Sequence, residues 1–264
     1  MSADRVLVTG ASGRLGASVL PFLSAEWEPI PVSRSGDMGT EAIDLLLGEN
    51  RDSLLNRDFS AVVNTAALSS VAECSRRPAR ALLLNALWPA ELASSCRERN
   101  IPMVHFSTDL VYSGGNPPYH EGSAAVPLSF YGWSKLLGDL MVERRYPGAL
   151  IVRTSVLCGE TSSKHRTFSQ DVLCGRVRTV WVDSWRNHTP VDWLAGLLPG
   201  LLEDGLTGTV IASGENSRTR SAYAEAILSV HGLPSEHLVQ EYAPPGVPRM
   251  LDLRGRFSTP DDIV

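Results

Sequence analysis

The chain has 264 residues, 43% of them hydrophobic, and a formal net charge of −5 at pH 7. A chain of this length buries the core of one large domain, with or without a small lobe. Its acidic balance and lack of a basic run argue against nucleic acid as a partner. Apolar runs stay far below the roughly 20 residues that a membrane-spanning helix needs. No cleavable apolar segment precedes the first strand-like run, so we predict a cytoplasmic protein without a membrane partner.

The four cysteines, Cys74, Cys96, Cys158 and Cys174, are scattered along the sequence. None of them forms the C-x-x-C spacing that is typical of zinc sites and redox motifs. Nor do they have the density of a disulfide framework. We therefore predict no metal site and interpret the cysteines as small apolar residues.

The first half of the chain alternates strand-like and helical patterns. An apolar run at Arg5–Thr9 leads through glycines into a helical pattern at 14–24, in which Pro21 should kink or shorten the helix. Further strands are predicted at 29–32, 61–64, 103–107 and 149–154, and helices at 79–99 and 129–145. This order is typical of an α/β protein with a Rossmann-type, doubly wound parallel sheet.

Beyond residue 155 the pattern is less regular. Helices are predicted near 168–174, 191–203 and 221–231, and a strand near 179–182. We assign residues 1–155 to a dinucleotide-binding domain and residues 156–264 mostly to a small substrate-binding lobe. The segment at about 190–213 is expected to return to the first domain.

A glycine-rich element, Gly10-Ala-Ser-Gly13-Arg-Leu-Gly16, stands between the first strand and the first helix. This is the setting that a dinucleotide fingerprint requires, because backbone N–H groups at a helix N-terminus attract a pyrophosphate. We expect six residues there to contact the cofactor: Gly10, Ser12, Gly13, Arg14, Leu15 and Gly16.

The end of the second strand reads Ser33-Arg34-Ser35, without an acid. A carboxylate at this place accepts from a ribose 2′-OH, whereas an arginine accommodates a 2′-phosphate. The sequence therefore favours NADPH, with NADH as an alternative and Arg14 as a second cation. Arg34 as a solvated loop residue is the competing interpretation. Asp44 and Leu45 are placed beside the adenine, although a helix cap explains Asp44 equally well.

Tyr131 and Lys135 lie four residues apart in a predicted helix, which places their side chains on one face. We expect the ammonium to lower the pKa of the phenol below its usual value of about 10 and so prepare it for proton transfer. For an isolated pair, a half-buried aromatic and a solvated charge would be the default interpretation. Here the pair follows a dinucleotide turn.

Several further motifs follow one another along the chain. They are Asn64-Thr-Ala-Ala67, His105-Phe-Ser-Thr-Asp-Leu-Val-Tyr112, Pro118-Tyr-His-Glu121, Pro127-Leu-Ser-Phe-Tyr-Gly-Trp-Ser-Lys-Leu-Leu-Gly-Asp139 and Arg153-Thr-Ser155, with Arg186-Asn-His-Thr-Pro-Val-Asp192 as a less specific extension. With these motifs the chain resembles the extended short-chain dehydrogenase/reductase superfamily, and within it the dTDP-4-dehydrorhamnose reductase family. The resemblance covers residues 5 to about 155 in order. It departs at His188, at residues 159–166 and from Arg249 onward.

The resemblance implies a catalytic set of Thr108, Tyr131 and Lys135, in which Tyr131 protonates the ketone and Thr108 holds its oxygen. Lys135 would bind the nicotinamide ribose. A shift of one residue along the predicted strand would turn Ser107 instead of Thr108 toward the cofactor, and we favour Thr108. The resemblance also places Ala66 and Ala67 at the cofactor.

For the substrate side, the resemblance implies contacts from Asp109, Val111, Trp185 and Arg186. Asp109 as a turn cap and Arg186 as an ion-pair partner are equally good interpretations. His188 is interpreted as a loop residue and His105 as a buried strand residue. Related dehydratases read Thr-Asp-Glu where this chain has Thr108-Asp109-Leu110, which argues against dehydration.

The leading interpretation is NADPH-dependent reduction of the 4-keto group of a nucleoside-diphosphate 4-keto-6-deoxy sugar. Such an oxidoreductase would serve deoxysugar, polysaccharide or glycosylated natural-product biosynthesis. The second interpretation is a sugar-nucleotide epimerase of the same superfamily, which would hold NAD tightly. The third interpretation is a regulatory subunit similar to the β subunit of methionine adenosyltransferase. The expected partner is a nucleotide-sugar, and a homodimer is compatible with the sequence.

Overall fold

The computed structural model describes residues 4–24 and 27–259. Residues 1–3 and 25–26 of the predicted dinucleotide-binding domain, and residues 260–264 of the predicted lobe, lie outside the described ranges. Within the described ranges, no helix is both long enough and apolar enough to cross a bilayer. The same ranges contain no cluster of three His, Cys, Asp or Glu residues suited to a metal ion.

Fourteen strands occur in the described residues, most of them short. They are β1 (Arg5–Thr9), β2 (Glu28–Ser33), β3 (Glu41–Ala42), β4 (Ala61–Asn64), β5 (Met103–Thr108), β6 (Leu150–Thr154), β7 (Val156–Cys158), β8 (Thr179–Trp181), β9 (Trp185–Pro190), β10 (Gly208–Gly214), β11 (Ser217–Thr219), β12 (Val239–Glu241), β13 (Met250–Leu251) and β14 (Phe257–Thr259).

Ten α-helices accompany them, together with a π-helical turn at Leu83–Leu87 and 3₁₀ turns at Asp37–Gly39 and Asp109–Val111. The helices are α1 (Arg14–Leu23), α2 (Gly48–Leu55), α3 (Val71–Arg76), α4 (Pro78–Leu82), α5 (Trp88–Arg99), α6 (Phe130–Arg145), α7 (Phe168–Leu173), α8 (Val191–Gly196), α9 (Leu198–Glu203) and α10 (Arg220–Val230).

Eight strands form one sheet in the order β14-β10-β6-β5-β4-β1-β2-β3, and all of its pairings are parallel. Alternate residues of β1 face opposite sides, so Val6 and Val8 pack with α1, α8 and α9, while Leu7 packs with α2 and α5. The strands are apolar on both faces because helices cover both faces. The predicted Rossmann-type α/β fold is confirmed.

The chain after β6 contributes to two places. Helices α8 and α9 and strands β10 and β14 add to the main sheet and its core. Strands β7, β9, β11 and β13 form a second small sheet, and β8 pairs with β12. A separate apolar cluster holds α7 and α10 together beside it.

The predicted element bounds agree with the structure to within one or two residues for most of the first half. Two differences have local causes. The predicted helix at 79–99 is interrupted by the π-helical turn, and α1 continues through Pro21 to end only two residues later, at Leu23. Because proline has no N–H, the Ala17 carbonyl inside α1 lacks its intrahelical donor.

Candidate active site

A cavity of about 640 Å³ lies where the main-sheet strands end. In a doubly wound sheet, ligands bind at these carboxyl ends. All fifteen residues that the sequence analysis placed at the cofactor line it: Gly10, Ser12, Gly13, Arg14, Leu15, Gly16, Ser33, Arg34, Ser35, Asp44, Leu45, Ala66, Ala67, Tyr131 and Lys135. Thr108 lines it as well, so the cavity unites the glycine turn with the predicted catalytic residues.

The glycine turn leaves no room for side chains. Gly10 has a φ of +73°, and a Cβ there would lie 2.6 Å from the Ala66 nitrogen. A Cβ on Gly16 would lie 2.3 Å from the Gly10 carbonyl oxygen. No side chain caps the N-terminus of α1. The turn therefore packs tightly against the end of β4 and presents helix N-terminal amides to the cavity, as a pyrophosphate requires.

An acid that was not considered from the sequence, Asp37, lies four residues after the end of β2. Gly36 and Met38 both have positive φ, and the resulting turn returns Asp37 to Ser35, whose hydroxyl donates to its carboxylate at 2.5 Å. Lys164 forms an ion pair with the same carboxylate. The segment Ser33-Arg34-Ser35 itself contains no acid, and Asp37, two residues beyond it, is not among the residues that line the cavity.

Of the two interpretations of Asp44, the helix cap is wrong, and the residue lies in the cavity wall. Its carboxylate accepts from the Leu46 N–H at 3.0 Å, which folds a local turn ahead of α2. The residue also lines the cavity beside Leu45. The N-cap of α2 is Leu47, so Asp44 closes the turn and does not cap the helix.

Helix α6 delivers the phenol and the ammonium. Ser129 caps it by accepting from the Gly132 N–H at 3.1 Å, which fixes Tyr131 in the first turn and Lys135 one turn later. Burial raises the pKa of Tyr131 to about 12, and a hydrogen bond with Thr108 opposes this rise. The expectation that Lys135 lowers the phenol pKa below 10 is wrong for this structure, because desolvation dominates.

The Lys135 ammonium is directed toward the sheet. Its Nζ donates to the Phe106 carbonyl at 2.8 Å and lies 3.3 Å from His105 Nε2. Burial lowers the pKa of Lys135 to about 8, although the charge of Asp139 acts in the opposite direction. The predicted solvated alternative is excluded, since Lys135 is almost fully buried.

A row of polar side chains crosses the strands beneath Lys135. The Thr9 hydroxyl donates to the side-chain oxygen Oδ1 of Asn64 at 2.6 Å, and Asn64 Nδ2 lies 2.8 Å from His105 Nδ1. Burial holds the pKa of His105 well below its usual range, so the ring is neutral. The row links β1, β4 and β5 to the helix and fixes the position of the ammonium. His105 is a buried strand residue, as predicted.

Sequence reasoning missed a second support, the buried Asn85 in the π-helical turn. Its amide donates to the Leu68 carbonyl at 3.1 Å and to the Ser134 hydroxyl at 2.9 Å, and its oxygen accepts from the Leu68 N–H. Ser134 stands between Tyr131 and Lys135 on α6. A Cβ on Gly138 would lie 2.1 Å from the Asn85 carbonyl oxygen, so only glycine permits this approach.

Asp109 and Arg186 pair with each other. Arg186 donates both nitrogens of its guanidinium edge to the Asp109 carboxylate, with Nε at 2.7 Å. Ser155 also donates to this carboxylate, which is fully buried. Of the two predicted roles of Arg186, the ion pair is confirmed. The pair lies close enough to Tyr131 to influence its pKa.

The remaining substrate-side predictions have different outcomes. The Val111 side chain is fully buried in an apolar cluster with Tyr112 and Leu136, so the prediction that it contacts substrate is wrong. Trp185 lies on β9 and is 40% exposed. His188 is a buried residue of β9 and not a loop residue, and its ring stacks on Tyr223 with centroids 3.6 Å apart.

Further cavity residues were not anticipated. They include Thr65, Arg80, Ser155, Lys164 and His165. Ser107, which was weighed against Thr108, lines the cavity together with it. Lys164 and His165 belong to the segment 159–166, which had no match in the resemblance. No sequence periodicity signals a loop residue that reaches the site across 150 positions.

The parallel sheet, the glycine turn and the Tyr131–Lys135 helix define a dinucleotide-binding fold of the extended short-chain dehydrogenase/reductase type. The family model described as the RmlD substrate binding domain matches residues 4–246. The chain belongs to this family.

Individual relatives agree with this assignment. The chain is 29% identical over 238 residues to the "probable low-salt glycan biosynthesis reductase" of Haloferax volcanii, covering 85% of this chain and 79% of the relative. It is 30% identical over 249 residues to methionine adenosyltransferase 2 subunit beta of Rattus norvegicus, which covers 89% of this chain and 74% of that relative. The structure of dTDP-4-dehydrorhamnose reductase from Bacillus anthracis in complex with NADP matches with a TM-score of 0.83 at 23% identity. The match covers 96% of this chain and 90% of that structure's chain.

Proposed function

We propose that this protein is an NADPH-dependent oxidoreductase that reduces the 4-keto group of a nucleotide-linked 4-keto-6-deoxy sugar. One observation carries the proposal. A single cavity holds an uncapped helix N-terminus and Arg34 at one end, and Thr108, Tyr131 and Lys135 at the other. The first set suits a phosphorylated dinucleotide, and the second suits proton transfer to a carbonyl.

The cavity residues fit NADPH. The tight glycine turn offers backbone N–H groups to a pyrophosphate, and Arg34 supplies positive charge for a 2′-phosphate. A bound NADPH would supply the hydride, and Lys135 would hold its nicotinamide ribose. The NADP in the Bacillus anthracis enzyme, which shares this fold, supports the choice.

The chain's own residues then manage the proton. The raised pKa of Tyr131 keeps the phenol protonated at neutral pH, so it holds a proton to donate to the ketone oxygen. Thr108, already in hydrogen-bond contact with Tyr131, orients that oxygen. Lys135 is mainly charged below pH about 8 and lies one helical turn away. Within the protein, the hydrogen bond with Thr108 and the charge of Arg186 are what favour the phenolate that forms.

The test is NADPH oxidation with a panel of nucleotide-linked 4-keto-6-deoxy sugars. We expect turnover by the wild type and a decrease of about 100-fold or more in Tyr131→Phe, with NADPH affinity nearly unchanged. Tyr146→Phe is the matched control, because its hydroxyl donates to the Ile101 carbonyl beyond the far end of α6. Full turnover in Tyr131→Phe would remove this residue from the mechanism, and no oxidation with any sugar contradicts the reductase proposal.

A regulatory subunit is the second candidate. It is favoured by the 30% identity to methionine adenosyltransferase 2 subunit beta over 249 residues. Co-purification distinguishes the two proposals. A stoichiometric protein partner together with no NADPH oxidation across the panel would support the regulatory function. Turnover of a keto-sugar by the isolated chain would support the enzyme.

A further inference from the structure

The segment 159–166, here called the serine-rich loop, lies across the glycine turn and α1. Three consecutive hydroxyls anchor it to backbone carbonyls. Thr161 donates to the Arg14 carbonyl at 2.9 Å and Ser163 to the Ser12 carbonyl at 2.7 Å. In return, Arg14 Nε donates to the Arg166 carbonyl. The loop uses carbonyl oxygens of the turn, so the amides at the start of α1 stay directed to the cavity.

The third anchor depends on Pro21. In an α-helix the carbonyl of Ala17 would accept from the N–H of residue 21, and proline has none. The Ser162 hydroxyl donates to this carbonyl instead, at 3.2 Å. Pro21 thus creates an acceptor on α1 that the loop occupies. The loop is therefore a fixed part of the cofactor end of the cavity.

The anchored loop holds Lys164 and His165 in the cavity wall, beside Arg14 and Arg34. Lys164 Nζ also pairs with Asp37. Burial lowers the pKa of His165, and the charges of Arg14, Lys164 and Arg34 lower it further, so these groups lie close together. Three cations, Arg14, Arg34 and Lys164, therefore line the end of the cavity where an adenosine ribose would lie, and Asp37 stands behind Lys164 as its partner.

We propose that Lys164 is a specificity-determining residue that selects a dinucleotide with a 2′-phosphate. This inference rests on the proposed NADPH dependence. An unpaired carboxylate at Asp37 would repel a 2′-phosphate and accept from a free 2′-OH. Lys164 neutralises that carboxylate and adds positive charge to the wall. The preference thus arises from two distant chain segments, with Arg34 on one and Lys164 on the other.

The experiment measures dissociation constants for NADPH and NADH at constant ionic strength, from cofactor fluorescence. We expect Lys164→Gln to weaken NADPH about tenfold or more and to leave NADH within about twofold. Lys164→Arg should retain the preference. Arg144→Gln, which removes one exposed charge near the C-terminus of α6, is the control for net charge.

Asp37 makes the test specific. If Lys164 acts by neutralising it, Asp37→Asn added to Lys164→Gln restores part of the lost NADPH affinity. Equal losses for both cofactors in Lys164→Gln, or no loss for either, would overturn the inference while leaving NADPH dependence standing. Failure of the wild type to bind either dinucleotide would overturn the proposed function and this inference together.

Discussion

The chain up to β6 and the chain after it are organised differently. In the first part, side chains at the site come from successive strand ends and the helices that follow them. In the second part, several residues reach the site through long-range contacts, such as Arg186 to Asp109 and Lys164 to Asp37. The first part positions the groups proposed for the chemistry. The second part supplies the cations that pair with Asp109 and Asp37, and some of the residues that line the cavity.

This division has an energetic consequence. Asp109 is fully buried beside Tyr131, and a buried carboxylate needs compensation. Its main compensation comes from the second part of the chain. The proposed reaction groups of the first part therefore depend on an ion pair that joins the two parts.

Breaking that pair should give the largest effect. Arg186→Met leaves the Asp109 charge buried and without its cation, so we expect the free energy of unfolding to fall by about 3–5 kcal/mol. Urea denaturation at pH 7 measures it. Arg254→Met is the control, because its pair with Asp252 is more exposed and should contribute at most about 1 kcal/mol.

The double variant Asp109→Asn with Arg186→Met sharpens this result. Removing both charges should recover much of the loss, because no unpaired carboxylate remains buried. A loss of under 1 kcal/mol in Arg186→Met would show that the two parts are not coupled through this contact.

The same division explains what sequence could predict. Periodicity and glycine placement located β1, β4, β5 and α6 to within a residue, because strands buried between two helical layers are continuously apolar. Strand β8 was predicted near 179–182, but β10, at 208–214, and the other two- and three-residue strands of the second part were not. They are defined by pairing partners far away in sequence, and a run of two residues carries no periodicity.

The site follows the same pattern. The cofactor-side residues are local to one turn or one strand end, so their placement in one cavity could be predicted. Asp37 was missed because two positive-φ residues turn the chain back toward Ser35. The Val111 prediction failed because the 3₁₀ turn after β5 directs that side chain into an apolar cluster.

One overlooked signal was present in the sequence. Thr9, Asn64 and His105 are polar residues in apolar strands, and the parallel registers place Thr9 opposite Asn64 and Asn64 opposite His105. Polar residues at matched strand ends indicate a buried network. The polar residues alone do not show that they meet. The parallel registers place them side by side, and Lys135 then contacts the end of the row at His105.

The pH dependence of the unfolding free energy tests the chain after β6 through its buried residue His188. Burial lowers the pKa of His188 to about 3, below the usual 6.5. Between these values the unfolded chain binds more protons, so the unfolding free energy falls as pH decreases from 6.5 toward 3. For this residue the loss is about 2 kcal/mol at pH 5.

We therefore expect His188→Phe to flatten the decrease in unfolding free energy between pH 7 and pH 5. The phenyl ring keeps the stack on Tyr223 and has no proton to gain. His231→Gln, at an exposed position, should retain the wild-type slope. An unchanged slope in His188→Phe would mean that other groups, such as the buried His105 of the first part, determine the acid sensitivity.

The smallest expected effect concerns the cofactor end of the cavity, where the chain before β6 contributes Arg34 and the chain after it contributes Lys164. Arg34→Asp should weaken NADPH by about tenfold, or about 1.4 kcal/mol, and NADH much less, because it removes a donor suited to a 2′-phosphate. Fluorescence titration with both cofactors measures it. Equal losses for the two would mean that Arg34 does not contact the phosphate. Because Arg34 and Lys164 line one end of one cavity, their combined variant should lose less NADPH affinity than the two single losses added together.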